Sequence, residues 1–389
     1  MLQTFAAKPL ITDEEVRAAL DIACAQVERN TKDFTDVCQN HSSVHNIYPP
    51  CANDQWTCGF WPGELWLSYE HTASSACRAA AETQVQSFLH RIQNKIVVDH
   101  HDMGFLYSPS CVAAYMLTGN ADAKQAALLA AEQLASRYQP KGRFLQAWGA
   151  MGAPENYRYI IDCLLNVPLL YWAAKETGEA RFKDIADAHV KTCMSHSFRA
   201  DYSTYHTFFM DPETGEGDHG ATAQGYKDDS SWARGQAWAV YGTALAYKYV
   251  PNEAFKGIFE KATAYFLQRL PSDLVPYWDL IFGDGSGEPR DSSSASIVAC
   301  GLLEMAKYVD AATAAAYNGI ARQLLKALYD GYAVKDFSVS NGLVLHGTYS
   351  KKSPFNTCTP EGVDECVSWG DYFYMEALTR LHKDWQPYW

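Results

Sequence analysis

The stretch RYIIDCLLNVPLLYW, residues 158–172, decides how the rest of the chain is read. Ile160, Ile161, Leu164, Leu165, Val167, Leu169 and Leu170 leave a helix written over it almost no polar face, which predicts a helix buried on most sides. One carboxylate, Asp162, stands inside it. Burial disfavours the charged form and raises the pKa of such a group. A carboxyl that stays protonated near neutral pH is what a general acid requires. A structural carboxylate bonded to backbone or to Asn166, one turn on, accounts for the residue equally well. The stretch alone leaves both readings open.

Working outward, helical signals recur along the whole chain. Thr12 with Glu15 forms a capping box ahead of Val16, Ala19, Leu20 and Ala23, predicting a first helix to about Arg29. Eleven further helices follow, with the sixth over the opening stretch and the twelfth over about 371–382. The eighth is read as starting near Ser230, capped by Ser230 or Ser231, with Asp228 and Asp229 ahead of it. Residues 199–229 read as a long polar loop with short strands, and FSVSNGLVLHGTYS as a hairpin turning at Asn341-Gly342. Short and long connections alternate, and no run of alternating strands supports a βαβ sheet. Six helical hairpins closing into an all-α (α/α)6 barrel, one domain over residues 1–389, is the expectation. An open solenoid is disfavoured because no fixed repeat period is visible. In the barrel, the long loops would gather at one end, carrying His101, Asp102, Trp148, His206, Gln224, Tyr277 and Trp278 to one mouth.

The bulk composition narrows the function. The 389 residues carry a net charge of −13, with no basic stripe to displace counterions, so nucleic acid is excluded as a partner. No apolar run approaches the roughly 18 residues of a membrane span, and MLQTFAAKPLITDEE has no basic then apolar leader pattern. The eleven cysteines are scattered, several within apolar helical runs, which suits reduced thiols in a cytoplasmic protein. A disulfide among Cys51, Cys58, Cys358 and Cys366 stays open. With no CxxC pair and no His at ligand spacing, no metal site is expected. Nucleophile-elbow, P-loop, HExxH and dinucleotide motifs are all missing, so no cofactor is expected either. The excess is aromatic, with 11 Trp, 24 Tyr and 17 Phe, many beside Gly, Asp or His. Aromatic faces beside carboxylates suit sugar rings, although core packing explains any one of them.

Two segments carry most of the polar chemistry. DHHDMGF, residues 99–105, sets two acids and two histidines ahead of a helix, where Asp102 serves as a cap or as a site acid. In QGYKDDSSWARGQAWAVYG, residues 224–242, Arg234 and Trp238 lie four apart on one helix face. A guanidinium beside an indole suits a substrate carboxylate and an apolar sugar face, and equally a surface ion pair beside a core Trp.

Together GFWPGELWLSYE, HHDMGFLYSPSCVAAYMLTGN, IIDCLLNVPLLYWAAKETGE, YHTFFMDPETG, QGYKDDSSWARGQAWAVYG and WGDYFYMEAL resemble the unsaturated glucuronyl hydrolases, glycoside hydrolase family 88. The matches run in order from about residue 56 to 382. The resemblance implies an (α/α)6 barrel acting on the Δ4,5-unsaturated uronic acid that polysaccharide lyases leave at a non-reducing end. The reaction it implies is hydration of a vinyl ether, with Asp162 donating a proton to C4 and then activating water, and Asp102 holding sugar hydroxyls and tuning Asp162. It also implies that Trp61, His101, Trp148, His206, Gln224, Arg234 and Trp238 line the site, with Arg234 offsetting the substrate carboxylate. Members preferring sulfated products carry a Ser-x-x-Ser-x-Lys loop. Here Ser350 and Ser353 fit, but Phe355 stands where the Lys would be, leaving Lys351 or Lys352 as substitutes. The expected partner is a uronate-capped di- or oligosaccharide, handled by a monomer or homodimer. The alternatives are an unsaturated rhamnogalacturonyl hydrolase of family 105, whose motifs fit less well around Gln224 to Trp238, and a sugar-binding toroid without catalysis.

Overall fold

The computed structural model describes residues 8–389; part of the segment read for a leader, residues 1–7, lies outside the described residues. Twelve helical segments alternate between an outer and an inner position. The outer ones are α1 (Asp13–Phe34), α3 (Ser75–Gln93), α5 (Ala121–Ala135), α7 (Ala180–His196), α9 (Glu253–Leu267) and α11 (Ala311–Gly331). The inner ones are α2 (Phe60–Thr72), α4, α6, α8 (Ala233–Tyr249), α10 (Ser292–Met305) and α12 (Ser368–His382). α4 runs through Met103–Tyr107, a π-helical turn at Ser108–Val112 and Ala113–Thr118. α6 is broken into Cys163–Asn166 and Pro168–Thr177. Each inner helix packs on the next, α2 on α4, α4 on α6, α6 on α8, α8 on α10, α10 on α12, and α12 back on α2. The result is a closed (α/α)6 barrel, as the helix count predicts.

The two rings differ in sequence because they differ in burial. α1 buries Val16, Ala19, Leu20, Ala23, Cys24 and Val27 along one stripe and leaves its other face to solvent. α8 buries every residue from Ala233 to Ala246, since it is packed on all sides. Small residues let the inner helices approach: a Cβ on Gly301 would sit 2.8 Å from the Tyr241 backbone. The capping box forms, Glu15 N–H donating to Thr12 Oγ1 at 3.1 Å and Thr12 N–H to Glu15 Oε2 at 3.0 Å.

Short strands decorate the long loops: β1 (Cys38–Gln39) with β2 (Pro50–Cys51), β3 (Tyr138–Gln139) with β4 (Phe144–Leu145), β5 (Arg158–Ile160) with β6 (Thr207–Met210) and β7 (Gly217–Ala221), and β8 (Gly347–Ser350) with β9 (Glu361–Glu365). Four local expectations change. The opening stretch is not helical throughout: Arg158, Tyr159 and Ile160 pair with Phe209, Phe208 and Thr207, and helix begins only at Cys163. Aromatic and β-branched residues next to a strand partner favour the ladder over the helix. α1 continues past Arg29 to Phe34. α8 starts at Ala233, not near Ser230, because the Ser230 hydroxyl donates to Asp279 and Ser231 to Gln236 instead of capping. Asn341-Gly342 makes no hairpin: Asn341 Oδ1 accepts the Tyr48 N–H at 2.6 Å, and β8 pairs with β9.

Candidate active site

The six connections that lead from an outer to an inner helix are the long ones, and they meet at the end of the barrel where the inner helices begin. Between them lies a cleft of about 540 Å³. Asp54 and Trp56 come from the α1–α2 loop, His100, His101 and Asp102 from α3–α4, and Trp148, Ile160 and Asp162 from α5–α6. His206, Ala223 and Gln224 come from α7–α8, and Tyr349 and Glu361 from α11–α12.

Asp162 occupies the N-cap position of α6, at the junction of β5 and the helix, but its side chain caps nothing. Its Oδ1 is shut off from solvent and meets no hydrogen-bond partner among the described residues. The Asn166 side chain does not bond this carboxyl, which argues against that form of the structural reading. The Asn166 amide donates to Asp102 Oδ1 and to the Asp162 main-chain carbonyl, each at 3.4 Å, while its Oδ1 accepts the Phe105 N–H at 2.8 Å. Gly104 makes this possible. A Cβ there would lie 2.3 Å from Asn166 Cα, so only glycine lets the start of α4 press against α6 and bring the two acids together.

His101 stands between the acids, its Nε2 3.3 Å from Asp102 Oδ1 and 3.5 Å from Asp162 Oδ1. The environments push the two carboxyls apart. Burial raises Asp162 well above the usual carboxylate range, the Asp102 charge raises it further, and Arg234 opposes only in part. Burial also acts on Asp102, but the His101 imidazole, the contact with His100 and the Asn166 amide outweigh it and hold Asp102 below its ordinary value. His101 is driven down to about 4 by burial, so at neutral pH it is a neutral ring. His206 is driven to about 3 by burial, with Arg158 and Arg234 adding to the effect. Its Nδ1 accepts the Ala223 N–H at 2.8 Å, which leaves the proton on Nε2. An acid pushed well up, an acid held low and two imidazoles driven low thus line one cleft. This is the pattern of divided acid and base roles.

Of the residues singled out from sequence, His101, Asp102, Trp148, Asp162, His206 and Gln224 line the cleft. Trp61 does not: it is 1 % exposed, and its indole N–H donates to the Phe34 carbonyl at 2.8 Å. Trp238 is equally buried, packed on Phe105 and Phe373 behind the cleft wall. Arg234 is also interior. Its guanidinium pairs with Asp291 at 2.7 Å, donates to the carbonyls of Thr348 and Tyr349, and is stacked between Trp232 and Trp369. Ser350 and Ser353 spend their hydroxyl protons on the carbonyls of Thr359 and Tyr226. Lys351 pairs with Glu288 at 2.9 Å and Lys352 donates to the Asn356 carbonyl, so the substitute lysines are engaged as well.

Among the cleft residues that escaped sequence reading, three form one wall. Trp56 donates its indole N–H to Tyr349 Oη at 3.0 Å, and His41 lies 4.8 Å from the Tyr349 ring, making a wall of three rings. Trp56 had a readable signal: it stands outside the helix that holds Trp61, as the other site residues stand in loops. Tyr349 and His41 had none. A metal-type grouping was also missed. Cys163, His189 and Cys193 come within 4.8 Å of one another, and His189 and Cys193 sit four apart on α7. His101, Asp102 and Asp162 lie equally close. All eleven cysteines are free, nine of them buried.

The Glycosyl Hydrolase Family 88 model matches residues 27–372. An unsaturated chondroitin disaccharide hydrolase of Streptococcus pneumoniae is 46 % identical over 389 residues, covering 100 % of this chain and 97 % of that protein. The crystal structure of an unsaturated glucuronyl hydrolase from Streptococcus agalactiae superposes with a TM-score of 0.95 at 44 % identity, covering 100 % of this chain and 97 % of that one. An Asp-to-Asn mutant of the S. agalactiae enzyme, solved in complex with dGlcA-GalNAc6S, superposes at 0.87 with 40 % identity, covering 100 % and 97 %. On the match to most of its length and on relatives of this identity, the chain belongs to glycoside hydrolase family 88.

Proposed function

We propose that this chain removes the Δ4,5-unsaturated uronate from the non-reducing end of short lyase products, with unsaturated chondroitin-type disaccharides as the first substrate to try. The observation that carries the reading is Asp162: a buried carboxyl with an unpartnered Oδ1, raised by burial and by the charge of the neighbouring Asp102, which is itself held low. Asp162 gives its proton to C4 of the C4=C5 vinyl ether, and the charge that develops at C5 is shared with the ring oxygen. The resulting Asp162 carboxylate takes a proton from water as that water bonds to C5. The hemiketal then opens at the C5–ring oxygen bond, and the hemiacetal left at C1 releases the rest of the glycan as an alcohol. One water is consumed overall. Asp102 stays ionised, which keeps Asp162 high, and accepts hydrogen bonds from sugar hydroxyls.

The cleft suits one disaccharide in size. Trp148 and the Trp56–Tyr349–His41 wall offer ring faces to the sugars. The described residues include no helix long and apolar enough to cross a membrane. The unbridged cysteines support a cytoplasmic location for the proposed single catalytic domain.

The test is loss of the conjugated alkene's ultraviolet absorbance with unsaturated disaccharides of chondroitin, hyaluronan, heparin and rhamnogalacturonan type. Turnover of a glucuronyl-type substrate is expected. Turnover of the rhamnose-linked substrate alone moves the chain to pectin fragments, and silence from the folded protein on all of them removes the reading.

A further inference from the structure

Strand β5 joins the acid site to a second feature. Side chains alternate along a strand, so Arg158 and Ile160 share one face while Tyr159 turns into the core. Ile160 lines the cleft. Arg158 therefore continues that face outward, about 7 Å further from Asp162 at two residues of strand rise. Its guanidinium lies 5.0 Å over the Trp148 ring and 5.0 Å over the Phe209 ring. Phe209 in turn stacks on His219 at 4.7 Å, nearly parallel. The three-stranded sheet thus presents a ledge of rings and one cation that begins where the cleft ends.

Arg158 is unusual among the cations near the mouth because no carboxylate claims it. Arg137 pairs with Asp99, Arg234 with Asp291 and Lys351 with Glu288, whereas Arg158 makes no ion pair among the described residues. Its Nε–H is shut off from solvent and meets no acceptor there. Its charge reaches the buried His206 on the cleft wall, yet it is Arg234, not Arg158, whose charge acts on Asp162. The acid on the same sheet does not neutralise it, because Asp218 is paired with His219. A guanidinium with both faces covered by rings keeps its edge for ligands, and that edge matches a planar oxyanion fork.

We propose that Arg158 is a specificity-determining residue that reads an anionic substituent, a sulfate ester or a second carboxylate, on the sugar following the unsaturated uronate. This rests on the substrate class proposed above. The neighbouring Ser350–Phe355 loop offers no free cation, because Lys351 and Lys352 are both engaged.

The experiment measures kcat and KM for an unsulfated and a 6-sulfated unsaturated chondroitin disaccharide with wild type, Arg158→Met and Arg158→Lys. Arg158→Met should raise KM for the sulfated substrate about tenfold, the scale of one charge-assisted contact, and leave the unsulfated one within about twofold. Arg158→Lys should recover part of the loss. Equal losses on both substrates with a fall in kcat would overturn the proposal, because Arg158 would then only position Trp148; unchanged KM values would overturn it too. Should Arg158→Met fail to fold, wild-type KM against ionic strength decides. It should rise with salt more steeply for the sulfated substrate than for the unsulfated one, and equal slopes sink the idea. Failure to turn over either disaccharide refutes the substrate reading itself, a result distinct from turnover without any Arg158 dependence.

Discussion

Asp162→Asn separates chemistry from architecture. Asparagine keeps the shape of the side chain but cannot donate a carboxyl proton. Loss of a positioned proton-transfer group costs about 10²–10⁴ in rate, or roughly 3–5 kcal/mol at 1.36 kcal/mol per decade. The expected fall is in kcat, with KM for an unsaturated disaccharide little changed, since Asp162 Oδ1 is bonded to nothing that a sugar would replace. Stability should move the other way. In the folded chain burial holds Asp162 protonated above the usual range, whereas the unfolded chain ionises at about 3.9. Above that value the unfolded state therefore binds fewer protons than the native state, and the native fold loses about 1.4 kcal/mol per pH unit until the raised folded pKa is reached. Asparagine has no such dependence. The variant should melt at or above the wild-type temperature at neutral pH, with a gap that widens from acid to neutral conditions. Alkene absorbance gives the rate and a thermal melt at several pH values gives the stability. Wild-type kcat, or a variant that melts far below wild type, would refute the reasoning, because the carboxyl would then be structural.

Three further outcomes follow from the same geometry. The pH–rate profile should be a bell, falling on the acid side as Asp102 takes a proton below the usual carboxylate range and on the alkaline side as Asp162 loses one; Asp102→Asn removes a charge that raises Asp162, so its alkaline limb should shift to lower pH, and an unmoved limb would uncouple the acids. Arg234→Ala should leave Asp291 buried and unpaired, costing about 3–5 kcal/mol of stability, read as a lowered melting temperature; a normal melt with only a raised KM would restore Arg234 as a direct substrate contact. Trp56→Ala should raise KM by about twofold to tenfold, the worth of an aromatic face at about 0.5–1.5 kcal/mol, while Trp61→Phe, which loses the bond to the Phe34 carbonyl and part of the buried ring, should act on stability and leave KM unchanged.

The helices were readable because their causes are local. A capping box at Thr12, Asn120 ahead of α5 and glycines closing α4 and α6 each act within one or two turns. The apolar stripe separates outer from inner helices within a single segment. Alternation of short and long connections then leaves the barrel as the natural closure and sends the loops to one end. The motif residues His101, Asp102, Trp148, Asp162, His206 and Gln224 reach one cleft for that reason: each lies in an outer-to-inner loop or at its junction with the next helix.

Partner choice is what the local pattern could not supply. Arg234 looked free for a substrate carboxylate until the chain brought Asp291 against it from 57 residues away. Trp56 and Trp61 are five apart in one motif, yet the turn of α2 aims Trp61 at the Phe34 carbonyl and leaves Trp56 beside Tyr349, 293 residues on. Asp162 was legible as a buried carboxylate, but its place at a strand-to-helix junction depended on Thr207–Phe209 arriving to pair with β5. Sequence by itself determined the helices and their closure into a barrel and marked Asp162 as a carboxylate in an apolar run, since periodicity, caps and burial of apolar runs are short-range effects. Tertiary structure alone decided which polar groups were already satisfied and which were left over for chemistry, because a hydrogen bond or ion pair is fixed only when both partners are in place.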